Sequence, residues 1–151
     1  MPADEAIPGL EIRQAAPGDS RALERLIAQL GYAVTEAEVA ARLAAMMREG
    51  RVVLVAQLDG AVVGCLSTSV MRVLHRPAPV GRISMLVVDA AVRGRGIGAE
   101  LVRAAERALT ADGCGWVEVT SNLRRTEAHR FYERLGYERT SVRLAREPGE
   151  G

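Results

Sequence analysis

The stretch Arg93-Gly94-Arg95-Gly96-Ile97-Gly98 has residue types and spacing that can do chemistry. Ahead of it runs Ile83-Ser84-Met85-Leu86-Val87-Val88, short and mostly apolar, which reads as a strand buried on both faces. Behind it Ile97, Leu101, Ala105 and Ala108 recur at the helical period, with Glu100, Arg103, Glu106 and Arg107 on much of the other face. The order is strand, glycine-rich turn with two arginines, helix start. A helix start exposes N–H groups without partners and carries the positive end of the dipole. Glycines let an anion reach the backbone, and arginines add charge. The expected ligand is a phosphate, with pyrophosphate first. The competing reading is a plain glycine-rich turn, because glycine spacing alone is a weak signal.

Three phosphate-binding motifs compete for this stretch. A P-loop needs Gly-Lys-Ser/Thr, and all 20 Lys and Arg positions of the chain are arginine, so that motif fails. A dinucleotide fingerprint tolerates Gly94, Gly96 and Ala99, with Glu118 downstream as the acidic residue. The third motif is Arg-x-x-Gly-x-Gly, here Arg93, Gly96 and Gly98. It resembles the pyrophosphate loop of the GNAT acetyltransferases.

The elements that position the stretch narrow the choice. Leu10 to Ala15 reads as a first strand, and Pro17-Gly18-Asp19-Ser20 as a helix start with Asp19 or Ser20 as cap. Leu23, Leu26, Ile27 and Leu30 form one apolar stripe. Thr35-Glu36-Ala37-Glu38 is a capping box opening a second helix with Val39, Leu43 and Met46 inward. Arg51 to Gln57 is a strand by β-branched content, Asp59-Gly60 a hairpin turn, and Ala61 to Val73 the return strand, with Gly64 marking a bulge or close approach. After the central helix come a strand at Trp116 to Ser121, a polar basic loop, a helix from Thr126 with Ala128, Phe131, Tyr132 and Leu135 on one face, and a last strand at Tyr137 to Leu144. The order is β-α-α-β-β-β-α-β-α-β. A dinucleotide fold would open on its glycine-rich βαβ unit, so the order disfavours it.

Composition bounds the rest. At 151 residues and 48% apolar, the chain suits a single domain, expected to span residues 1–151. A net charge of +1 gives no reason to expect nucleic acid or an anionic membrane as partner. The absence of lysine excludes Schiff-base and lysine-base chemistry. No apolar run is long enough to span a membrane. Cys65 and Cys114 are too few for a disulfide framework or a zinc site, so no metal is expected, and a reducing cytoplasm fits them as small buried thiols.

The whole order is similar to that of the GNAT N-acetyltransferase superfamily, over roughly residues 10 to 144. Four signatures carry the likeness: the hairpin Leu58 to Gly64, the strand Leu86-Val87-Val88, the Arg-x-x-Gly-x-Gly turn, and Ala128-His129-Arg130-Phe131-Tyr132-Glu133-Arg134-Leu135-Gly136-Tyr137. The C-terminal half, from Ser121-Asn122-Leu123-Arg124-Arg125 into Ala128 to Tyr132, also resembles the aminoalkylphosphonate N-acetyltransferases. The resemblance implies an α/β (α+β) GNAT fold: a mixed, mostly antiparallel sheet, splayed between two parallel central strands and flanked by four helices.

It also implies a site. Acetyl-CoA, the cosubstrate, would lie in the gap between the strands Ile83 to Val88 and Trp116 to Ser121. Its pantetheine arm would pair with Leu86, Val87 and Val88 like an added strand. Its pyrophosphate would sit on the amides of Gly94, Arg95, Gly96, Ile97, Gly98 and Ala99. Arg93 and Arg95 would assist or be surface charges, and Asn122 would bond the pantetheine amide or cap a turn. Tyr132 matches the family's acid position, against the plainer reading of a core tyrosine. Glu118 lies where some members keep a base, against that of a solvated or salt-bridged strand carboxylate. A packing or capping role is expected for His129, and two distant histidines, His75 and His129, give no support for a metal. Arg124, Arg125 and Arg130 would bind an anion on the substrate or the CoA 3′-phosphate, or form a solvated loop. Tyr32 would line a pocket or staple the second helix.

The expected activity is acetyl transfer from acetyl-CoA to a primary amine of a small molecule by direct attack. A protein or peptide N-terminal acetyltransferase and a non-catalytic acyl-CoA sensor are the alternatives. The implied partners are the amine substrate and a second copy as homodimer, with no nucleic acid and no membrane.

Overall fold

The computed structural model describes residues 6–121 and 123–149. The chain forms two compact units, 1–119 and 120–151. The first holds a five-stranded sheet in the order β1 (Leu10–Gln14), β2 (Val53–Leu58), β3 (Ala61–Met71), β4 (Val80–Val88), β5 (Trp116–Val119). The first three pairings are antiparallel and β4–β5 is parallel. Three helices belong to this unit: α1 (Ser20–Gln29), α2 (Glu36–Arg48) and α3 (Ile97–Ala111). The second unit holds α4 (Thr126–Arg134).

Local chemistry accounts for most of the boundaries. Asp59 and Gly60 both have positive φ, the requirement of a tight two-residue hairpin, and join β2 to β3. At the start of α2 the Glu38 amide donates to Thr35 Oγ1 at 3.1 Å, and the Thr35 amide donates to Glu38 Oε1 at 3.0 Å, the reciprocal box expected from the sequence. Asp19 is the N-cap residue of α1, as expected, but its side chain makes no bond to the helix amides. Its carboxylate accepts from both terminal nitrogens of Arg13 at 2.8 Å and from the Ala16 amide, and a single 3-10 turn at Pro17–Asp19 leads into α1.

The two faces of the sheet are buried differently. Leu23 and Leu26 of α1 and Val39 and Leu43 of α2 form one core with Val53, Val55, Cys65 and Val87. Gly64, next to Cys65 and so facing the other way, meets α3. A Cβ there would stand 3.1 Å from Leu101 Cδ1 and 3.3 Å from Ala56 Cβ. Gly81 makes the same close approach to Leu109 at 2.9 Å. Leu101, Val102, Ala105 and Leu109 are fully buried, and each such leucine contributes about 1.5–3 kcal/mol of burial. The expected bulge near Gly64 is present, with Val63 the extra residue between the pairs Ala56–Gly64 and Gln57–Val62.

The expected last strand over Tyr137 to Leu144 is absent. Residues 137–149 carry no strand, and among the described residues β5 closes the sheet. Two causes are visible. Gly136, at φ +96°, ends α4 and turns the Tyr137 amide back to the Tyr132 carbonyl at 3.0 Å, so Tyr137 is spent on the helix cap. Beyond it the alternation sets Val142 and Leu144 on the same side as Glu138 and Thr140, and both apolar side chains are exposed. The strand expected at Trp116 to Ser121 stops at Val119, and β4 begins at Val80, three residues before the expected Ile83.

Candidate active site

The first unit contains a fork. β4 and β5 pair through only four rungs, Val80–Trp116, Gly81–Val117, Arg82–Glu118 and Ile83–Val119. β4 then runs on through Ser84, Met85, Leu86, Val87 and Val88, held by β3 on its other side. Those residues offer backbone donors and acceptors along an edge that no strand among the described residues pairs with. At the start of the open edge the β3–β4 register slips between Ser67 and Thr68, leaving Ser84 as the extra residue, its hydroxyl 2.8 Å from that of Ser67.

The open edge leads straight into the glycine-rich turn. Asp89 and a 3-10 turn at Ala90–Val92 follow Val88, then Arg93 to Gly96, then α3. Gly94 and Gly96 have φ of +81° and +86°, where a side chain would strain the backbone. The first intrahelical bond is from Glu100 to the Gly96 carbonyl at 3.1 Å, so the amides of Ile97, Gly98 and Ala99 have no acceptor within the helix. Gly96 as N-cap brings no side chain to cover them. Arg93 donates from Nε to the Val88 carbonyl at 3.2 Å, closing the turn onto the end of β4. Arg95 is exposed.

A brace that the sequence did not announce holds this turn. Arg25 of α1 donates to Asp89 Oδ2 at 2.6 Å and to the Val62 carbonyl at 3.0 Å. Gln29 donates to Asp89 Oδ1 and accepts from the Ala90 amide at 2.9 Å. The Asp89 amide donates to Val63, the bulged residue, at 2.7 Å. The Ala91 amide, then Arg25 and Gln29, hold the Asp89 carboxyl below the usual carboxylate range. The sequence signal was slight: a strand-ending Asp two residues before a free amide, the pattern of an Asx turn.

Glu118 sits on the third rung of the fork. Arg82 donates to its Oε1 from Nε at 2.9 Å and from a terminal nitrogen at 2.6 Å. Both side chains are about a third exposed. The structure therefore shows the salt-bridged carboxylate that was one of the two readings of Glu118. At the outer end of the rungs Arg76 lies over the Trp116 ring at 4.5 Å. His75 is exposed, and so is Tyr32, at 61%.

In the second unit Tyr132 is buried on the inward face of α4. Its ring meets Phe131 and Tyr137 edge-on at 5.1 and 5.8 Å. Burial pushes its phenol up to about 12. His129 donates its backbone amide to the Arg125 carbonyl and is half-buried. Arg124, Arg125 and Arg130 are exposed. Asn122, the remaining candidate, lies outside the described residues. Among the described residues no three His, Cys, Asp or Glu side chains come together as metal ligands, and no helix is long and apolar enough to cross a membrane.

A fork of parallel strands opening onto an anion-accepting helix start was the geometry implied by the resemblance. The sequence profile of the Acetyltransferase (GNAT) family matches residues 20–137. The chain belongs to this family. It is an acyltransferase of the acetyl-CoA-dependent kind, with the mixed sheet expected of that fold. Among curated relatives, the aminoalkylphosphonate N-acetyltransferase of Salmonella typhimurium is 31% identical over 148 residues, covering 95% of this chain and 94% of the relative. The aminoglycoside N-acetyltransferase AAC(6')-Iy, solved with CoA, superposes with a TM-score of 0.83 at 21% identity over 95% of this chain and 99% of its own. A Trypanosoma brucei acetyltransferase does so with a TM-score of 0.79 at 26% identity, covering 92% and 99%.

Proposed function

We propose that this GNAT chain, as one N-acetyltransferase domain, moves the acetyl group of acetyl-CoA to a primary amine of a small molecule by direct attack in a ternary complex. The observation that carries the reading is the open edge of β4 ending on an uncapped, glycine-turned helix start. The amides of Gly94 to Ala99 would hold the pyrophosphate, with Arg93 closing the turn and Arg95 adding charge. Leu86, Val87 and Val88 would pair with the pantetheine arm along the free edge. Laid out in this direction, the thioester reaches the Ser84 end, beside the last rungs of the fork.

Glu118 is proposed as the base. An alkylammonium has a pKa near 10 and must lose a proton before it attacks. Tyr132 is proposed as the acid that supplies a proton to the departing thiolate. Buried, with its pKa at about 12, the phenol is neutral at pH 7 and carries the proton to be given. Asn122 remains a proposed contact to the pantetheine amide. The acceptor of the Salmonella relative makes aminoalkylphosphonates the first class to try, and Arg124, Arg125 and Arg130 supply exposed positive charge on the second unit for such an anion.

The test is thiol release from acetyl-CoA against aminoalkylphosphonates, aminoglycosides, polyamines, amino acids and short peptides. Turnover of one small-amine class, with product acetylated on nitrogen, is the expected outcome. Turnover restricted to peptide N-termini would replace the small-molecule reading. Tight acetyl-CoA binding without turnover on any class would count against it.

A further inference from the structure

Glu118 does not stand alone on the fork, and the way it is held is asymmetric. Both donors of Arg82 converge on Oε1, at 2.9 and 2.6 Å. Among the described residues no side chain or amide is bonded to Oε2. The pair occupies the second-last rung before β4 and β5 part. Gly81, the neighbour of Arg82, turns towards Leu109 of α3, so Arg82 and Glu118 stand on the opposite face of the sheet. Nor is this a buried structural ion pair: each side chain is about a third exposed, which leaves a path to it from solvent.

We infer that Arg82 is the positioning residue of the proposed base, clamping Glu118 through Oε1 so that Oε2 faces the incoming ammonium at the apex of the fork. The inference rests on the reading of Glu118 as base. Its physical content is geometric. A glutamate on a strand has three rotatable side-chain bonds, and a free carboxylate would sample many positions around the apex. A planar guanidinium locked on one oxygen removes that freedom, and it does so without using the oxygen that must accept the proton. The proton that Oε2 takes is the one the ammonium loses, and the amine lone pair is then released for attack on the thioester carbonyl. Placing such a group to within a fraction of an ångström is worth up to a hundredfold in rate. An exposed ion pair kept for stability alone would contribute little.

The experiment is a mutant cycle on the full chain with acetyl-CoA and 2-aminoethylphosphonate, or the fastest amine of the panel above. Arg82→Met is expected to lower kcat about 10- to 100-fold while KM for acetyl-CoA changes little. Arg82→Lys, which keeps the charge and loses the fork, should recover part of the loss. In the Glu118→Gln background, Arg82→Met should cost nothing further, because the group it positions is gone. A loss from Arg82→Met that simply multiplies that of Glu118→Gln would overturn the positioning role and leave the base role standing. A Glu118→Gln variant with wild-type kcat would remove the base role and the positioning role together. A readout that needs no acceptor is the side-chain carboxyl resonance of Glu118 in protein labelled with 13C-glutamate, assigned by its loss in Glu118→Gln. Arg82→Met should move that resonance, and an unmoved resonance would mean that the clamp does not form in solution.

Discussion

A group that must hand a proton to a thiolate has to keep it until the thiolate forms. Tyr132 meets that condition at a phenol's ordinary pKa of about 10, and burial lifts it further, to about 12. Tyr132→Phe is expected to lower kcat about a hundredfold with CoA affinity unchanged, measured by thiol release and by calorimetric titration of CoA. The raised pKa also has a stability consequence. The folded state binds this proton more tightly than the unfolded state does, so the contribution is complete below pH 10 and is lost as pH rises from 10 towards 12. A difference of that size between the folded and unfolded states corresponds to about 3 kcal/mol. Urea unfolding between about pH 9 and 11.5 should show a shallower alkaline decline in Tyr132→Phe than in the wild type. Cys65, also pushed up to about 12 by burial, adds a similar decline starting near pH 9 in both proteins, so the difference between them isolates the tyrosine. Both proposed catalytic residues are nameable from the sequence through the family resemblance, which covers the helix signature holding Tyr132 and the strand holding Glu118. Arg82 and Asp89 are not. Their partners Glu118 and Arg25 lie 36 and 64 residues away, and no local period encodes such a pair.

At the scale of elements, the helix start that would receive the pyrophosphate is aimed by α1, not by its own strand alone. Asp89 collects Arg25, Gln29 and the Ala91 amide, and its own amide reaches the bulge at Val63. The bulge, the turn and α1 are thereby fixed as one assembly just before Arg93. Arg25 is about half exposed, so its ion pair contributes little to global stability. Its effect should instead appear in pre-organisation. Asp89→Ala is expected to raise the Kd for CoA about tenfold while the melting temperature moves by only a few degrees, as titration calorimetry and a thermal melt would show. A large loss of stability with unchanged affinity would mean that the brace serves the fold and not the loop. The strand–turn–helix unit itself is legible, since its apolar run, its glycines and its helical stripe are all local. The expected last strand fails because β-branched residues at Thr140 and Val142 imitate a strand, whereas ladder formation depends on a partner edge that periodicity does not report.

For the whole molecule, the fold order is legible through α4 because each element announces its own period, and the fork follows from that order plus the resemblance. What no local pattern contains is the point where β5 lets go of β4, which depends on the register of two strands distant in the chain. That release point divides the work. The open edge, the glycine turn and the Arg82–Glu118 pair all belong to the unit 1–119, and Tyr132 belongs to 120–151. Cosubstrate binding should therefore be separable from proton donation in one measurement. Acetyl-CoA at about a hundred times its Kd should stabilise the wild type by about 2.7 kcal/mol, or roughly 5–10 °C in melting temperature for a chain of this size. Tyr132→Phe should keep that shift in full. Gly96→Glu should abolish it, because the left-handed φ of +86° costs any side chain about 1–2 kcal/mol and the new carboxylate would sit among the amides meant for phosphate. The unliganded variant must still melt cooperatively for the comparison to hold, and the space around Gly96, with Ile7 Cδ1 at 3.8 Å as the nearest atom, leaves room for the side chain. A full acetyl-CoA shift in Gly96→Glu would place the pyrophosphate elsewhere, and the orientation of the thioester towards Glu118 would fall with it.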